Sequence, residues 1–209
     1  FYLDLGFSLT EVAEVRKVFG VVASMLGVFT GGVAIARLGV MRALLVGAFG
    51  GPLSNLVFIW LGTRGHDLPA LFTAISVDNV ASGFAGTCLI AYMSSLTTQG
   101  FTATQYALFS SLYALPGRLI ASQSGRLVEA AAKSADMGGV FSTLNGMFAG
   151  LPPESFAQAV QKSGVAPASL GSGYTVFFLY STVIGIFAVV LTFVLVLGRT
   201  GRATTAAGG

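Results

Sequence analysis

The sequence predicts an all-α, polytopic helical membrane protein. Charge is scarce: 9% of the 209 residues are charged, 54% are hydrophobic and the mean hydropathy is +0.82, against roughly 25% charged residues in a soluble domain. The apolar residues also gather into runs of lipid-crossing length, because spanning about 30 Å of hydrocarbon takes about 20 residues. Residues 18–36, 43–63, 79–117 and 165–198 carry no charged side chain. The third observation is polarity placed inside these runs. Between Asp67 and Arg118 the lone charge is Asp78, and a charge near the bilayer centre costs roughly 2.5 to 3.5 kcal/mol on insertion scales. It persists only where it faces protein or water, so it marks a functional candidate.

Residues 18–36 form the first complete span, and Gly27-x-x-x-Gly31 within it has the spacing that lets two helices approach closely, although glycine is also common in membrane helices. A short charged connector, Glu11 to Lys17, precedes it. Residues 43–63 form the second span and repeat the small-residue device with Gly47 and Gly51. Pro52 with Ser54-Asn55 predicts a kink or break there, and discontinuous helices mark sites in transporters.

The run at 79–117 is too long for one crossing and therefore folds back at Ser94 to Gly100, giving spans at 71–95 and 102–127. The apolar signal lapses over residues 129–173, a Gly, Ala, Ser and Pro-rich stretch with a short helix between Pro152 and Gly164. The last span is 174–197, stopped by Arg199 and Arg202, and residues 203–209 read as a disordered tail. That makes five complete spans. Phe1-Tyr-Leu-Asp-Leu-Gly-Phe7 reads as the end of a sixth, with no initiator Met, so the chain is expected to be a C-terminal fragment.

Several classes of chemistry are excluded by what the residues supply. There is one His (His66), one Cys (Cys88), no H-E-x-x-H and no glycine-rich phosphate loop, so no metal or cofactor is expected. Cys88 has no partner for a disulfide and reads as a packing residue. Paired-aspartate proteolysis needs two acids at one depth, and the spans offer Asp78 alone. The chain is not expected to be an enzyme. Its net charge is +3, but the basic residues stand singly at span ends rather than on one face, which argues against nucleic acid.

The polar residues fall in stripes at 100° per residue. Asp78, Ser82, Ala85, Leu89 and Tyr92 share one face of the third span, with Asn79 beside Asp78; Thr104, Ser111, Arg118 and Ser122 share one face of the fourth. Asp78 and Arg118 lie at equal distance from the turn near Thr98. They are expected to form an ion pair or share a polar cavity, unless one of them snorkels to the interface. Thr102, Thr104, Gln105 and Tyr106 offer hydroxyl and amide groups to a polar solute, while Thr102 and Gln105 also have the spacing of a helix cap. Ser54-Asn55 is a weaker candidate of the same kind.

Gly32-Val-Ala-Ile-Ala-Arg37-Leu-Gly39-Val-Met-Arg42 resembles the signature loop of the major facilitator superfamily, with Ala36 where an acid is usual. Taken with Phe1 to Phe7, the Glu11 to Lys17 connector, Ser54-Asn-Leu-x-Phe58, Asp78-Asn79 with Gly83, Tyr92-Met-Ser-Ser-Leu96 and Phe101-Thr-Ala-Thr-Gln-Tyr-Ala-Leu108, it resembles the C-terminal half of AmpG-type muropeptide permeases. The likeness covers residues 1–125 and the final span.

That resemblance implies a bacterial inner-membrane transporter of the major facilitator type. It would import anhydro-muropeptides from periplasm to cytoplasm, driven by protons, and an N-terminal six-helix half would complete the bundle. It also implies a cytoplasmic Arg37 to Arg42 loop, a periplasmic segment at 129–173 and a cytoplasmic tail at 199–209. Related acetyl-CoA transporters share the wider family, so another polar solute stays open, as does a channel or membrane enzyme.

Overall fold

The computed structural model describes residues 1–96, 102–152 and 155–206; for 102, 113, 114, 116–120 and 198–206 only the backbone is described. Among the described residues there are helices and turns and no strand. The helices are α1 (Leu9–Val15), α2 (Val21–Leu38), α3 (Val40–Ala48), α4 (Gly50–Arg64), α5 (Leu68–Leu96), α6 (Thr102–Asp136), α7 (Ala157–Ser163) and α8 (Pro167–Ala206). The chain is an all-α polytopic membrane protein. Among the described residues, four helical stretches are long and apolar enough to cross a bilayer by length and composition: Leu9–Leu38, Val40–Arg64, Leu68–Leu96 and Pro167–Leu197. Helix α6 has the length, at 35 residues, but is not among those four.

Local chemistry explains where the helices begin and end. The Glu11 to Lys17 segment, expected as a connector, is helical. Ser8 caps α1 through a reciprocal box, its hydroxyl accepting from the Glu11 N–H at 3.1 Å while the Glu11 carboxylate accepts from the Ser8 N–H at 2.7 Å. A π turn over Arg16–Gly20 then carries the helix into α2 without a break. Upstream, the Gly6 N–H donates to Leu3 and the Phe7 N–H to Tyr2, with Gly6 at φ 96; this is the Schellman pattern that closes a helix C-terminus.

The break in the second span lies at Phe49, between α3 and α4, rather than at Pro52. Proline acts one turn upstream, where its ring meets the carbonyl four residues before and its missing N–H leaves that carbonyl unpaired. Gly47 packs on Ala85, where a methyl group on the glycine would lie 3.1 Å from that Cα; Gly51 faces open space, and Gly50, against Ala81, takes its place. Helix α8 begins seven residues before Tyr174 and continues through Ala206, so residues 203–206 are helical rather than disordered. Nothing between Arg202 and Ala206 breaks a helix.

Helix α5 packs mainly on α2, α3 and α4, whereas α6 packs on α8 and on the 3₁₀ turn Val140–Phe148. The densest core lies at the end of the bundle where Leu5, Phe7, Leu61, Leu71, Ile75, Phe156 and Leu170 meet. Large apolar side chains elsewhere, such as Met25, Phe29, Val183 and Phe187, are exposed, the outward surface a lipid-facing protein needs.

Candidate functional site

The site is built on the contact between α2 and α5, and small residues make it possible. A methyl group on Gly27 would strike the Val80 carbonyl, and one on Gly83 would lie 2.5 Å from the Ser24 carbonyl. Each helix thus seats a glycine against the other's backbone, the arrangement by which membrane helices gain contact without a hydrophobic driving force. Close approach brings short polar side chains into range.

Asp78 and Asn79, one step apart on α5, turn to different neighbours. The Ser54 hydroxyl of α4 donates to Asp78 Oδ1 at 2.8 Å, and Ser54 is buried. The Ser24 hydroxyl of α2 donates to Asn79 Oδ1 at 3.1 Å, while Asn79 Nδ2 donates to the Ile75 carbonyl at 2.7 Å. Both α5 side chains are half-buried. The Asn79 amide is oriented by its partners on both ends, and Gly20 at the end of the π turn lies beside it: a methyl group there would sit 3.5 Å from Nδ2, in ordinary contact. The pair therefore ties three helices together through groups that can also exchange hydrogen bonds with a solute or carry a proton.

Asn79 opens on a groove of about 510 Å³ whose wall includes Arg16, Gly20, Ser24, Met25 and Phe29. Arg16 thereby stands near the polar pair without having been expected there. Ser24 was likewise not singled out. Its signal was its place between Gly20 and Gly27, on a stripe of small residues recurring every three or four positions.

The remaining candidates are scattered. Asn55 and Tyr92 are half-buried on α4 and α5, Gln105 and Tyr106 half-buried on α6, and Thr104 and Ser111 exposed on α6. Thr102 is the first residue of α6, but its side chain, like that of Arg118, lies outside the described residues, and so does the Asp78–Arg118 pairing. The structure brings Asp78, Asn79, Ser54 and Ser24 together, with Asn55 next to Ser54 in the chain. The α6 residues sit on a helix with other packing partners.

In the signature loop, Gly39 has φ 79 and ψ 161 and donates its N–H to the Ile35 carbonyl. Only glycine adopts that backbone readily, which explains its place in the motif. Gly32 meets open space, and Arg37 and Arg42 are exposed. Among the described residues no group of His, Cys, Asp and Glu is suited to a metal ion.

A multi-pass helical bundle with a half-buried carboxylate and amide between its spans has the makings of a membrane transporter, and the relatives carry that name. The chain is 34% identical over 61% of its length to "Putative transporter AmpG 4" of Rickettsia conorii, of which this covers 31%. It is 36% identical over 59% of its length to "Putative transporter AmpG 3" of Rickettsia prowazekii, covering 30% of it. An uncharacterized protein of Haemophilus influenzae is 33% identical over 62% of this chain and 32% of its own length. The matched region is the C-terminal part of these relatives, so the resemblance to the C-terminal portion of AmpG-type proteins holds. The chain spans about a third of the length of the curated relatives it matches. No protein-family model matches it. No solved structure matches it.

Proposed function

We propose that the chain forms the C-terminal half of a proton-driven importer of anhydro-muropeptides in a bacterial inner membrane. It would supply five complete spans and the end of a sixth to a major-facilitator bundle, with an N-terminal six-helix half as its partner. The observation that carries this reading is the Asp78 and Asn79 pair, held half-buried on a lipid-length helix by Ser54 and Ser24. An acid so placed is costly unless it serves a pathway. The transporter names of the relatives support the same direction.

In this reading the Arg37 to Arg42 loop and the tail face the cytoplasm, and the segment from Glu129 to Gly173 faces the periplasm. Two halves rock about a midplane cavity. Asp78, Asn79, Asn55, Tyr92, Thr104, Gln105, Tyr106, Ser111, Thr102 and Arg118 line or brace this side of it. Asp78, with the Ser54 hydroxyl as its hydrogen-bond partner, takes up a proton in the outward-open state and releases it inward. No covalent chemistry on the solute is required, so the chain is not an enzyme.

The test is uptake into vesicles by the full-length protein. Labelled anhydro-muropeptide should accumulate when the outside is acidified, and free sugar or acetyl-CoA should not. Accumulation of acetyl-CoA instead would assign the chain to the other solute class of the wider family.

A further inference from the structure

A second cavity lies away from the α2–α5 contact, at the end of the bundle that carries α7. Its volume is about 630 Å³, and it is enclosed by the N-terminal segment, the second half of α6, α7 and the start of α8. Tyr174 and Phe177 of α8 present aromatic side chains to it, and the Tyr174 hydroxyl donates to the Asp4 carboxylate at its edge. Glu129 and Lys133 stand one turn apart on α6, and Lys162 faces them from α7. All three are exposed, and among the described residues neither lysine forms an ion pair. Aromatic surface with charges of both signs around it suits a ligand that has a flat apolar face and carries both carboxylate and ammonium groups. The two lysines are donors to carboxylates, Glu129 an acceptor for an ammonium.

The geometry points to this cavity as a second solute-binding site, for a sugar-peptide solute whose ring lies on Tyr174 and Phe177 and whose peptide carboxylates meet Lys133 and Lys162. The inference rests on the importer reading, in which this end of the bundle faces the periplasm and meets the solute before the intramembrane pair does. Charged groups at a mouth raise the local solute concentration and fix its approach. They act on capture, not on the translocation step.

The experiment uses the full-length protein in vesicles with labelled anhydro-muropeptide, and with the sugar portion lacking its peptide as a binding probe. Replacing both lysines, Lys133→Gln with Lys162→Gln, should raise KM for anhydro-muropeptide about tenfold, the scale of a lost charge-assisted contact, with maximal uptake rate unchanged. The Lys133→Arg, Lys162→Arg pair should restore KM, and binding of the sugar probe should not change in either. An unchanged KM in the glutamine pair, while the wild type imports, would overturn the site and leave the importer reading intact. A wild type that neither binds nor imports anhydro-muropeptide would overturn both.

Discussion

Gly27 of α2 and Gly83 of α5 each sit against the other helix's backbone, with no space for a side chain at either position. A single larger residue must push the helices apart, and overpacking costs about 1–3 kcal/mol or more. Gly27→Val and Gly83→Val should therefore lower the unfolding midpoint in detergent and reduce folded yield. Gly32→Ala, with open space around it, should leave stability unchanged or raised by about 0.5–1 kcal/mol, because alanine replaces glycine in a helix. Equal effects of the three substitutions would show that the α2–α5 contact is looser than described.

Ser24 and Asn79 are joined by a side-chain hydrogen bond, whose net worth is about 0.5–1.5 kcal/mol. A double-mutant cycle with Ser24→Ala and Asn79→Ala should return a coupling energy in that range. Additive single effects would mean that the two side chains are independent.

Ser54 is the described donor to Asp78. Removing it with Ser54→Ala leaves a half-buried carboxylate without that partner, and hydrogen bonds to charged groups are worth about 1.5–3 kcal/mol. The folded protein should lose stability of that order, measured by chemical unfolding near neutral pH. The loss should shrink in an Asp78→Asn background, where the acceptor is neutral.

Gly39 occupies a backbone region closed to other residues, at φ 79 and ψ 161. Gly39→Val should cost on the order of 1–3 kcal/mol, seen as a lower unfolding midpoint. Leu38→Val, its neighbour on the exposed end of α2, should have little effect.

The membrane-crossing segments were legible because lipid imposes length. The spans expected at 18–36, 43–63, 71–95 and 174–197 lie inside the long apolar helices Leu9–Leu38, Val40–Arg64, Leu68–Leu96 and Pro167–Leu197, while the one expected at 102–127 lies on α6, which is not among them. The helix ends were less legible. Ser8 and Glu11 carry a capping box, yet the charges of the segment concealed a helix continuous with the span.

The candidate pair Asp78-Asn79 stood out through the cost of burying polarity, but its partners did not. Of those partners Ser54 stands out with Asn55 as a weaker candidate but not as a partner of Asp78, whereas Ser24 is one serine among many; only the rotation of α2 and α4 about their axes brings these hydroxyls toward α5. Helix α5 packs mainly on α2, α3 and α4 rather than on α6, because chain neighbours need not be each other's main packing partners; much of the turn expected between α5 and α6 lies outside the described residues. Here the glycines of α2 and α5 decide the closer pairing.

The central claim, that Asp78 couples protons to solute import, is tested most directly by gradient-driven uptake of labelled anhydro-muropeptide into vesicles by full-length wild type and Asp78→Asn. The account predicts that wild-type accumulation rises with the imposed proton gradient and that Asp78→Asn, though folded and able to bind solute, no longer responds to it. An Asp78→Asn protein that accumulates solute with the wild-type dependence on pH would contradict it.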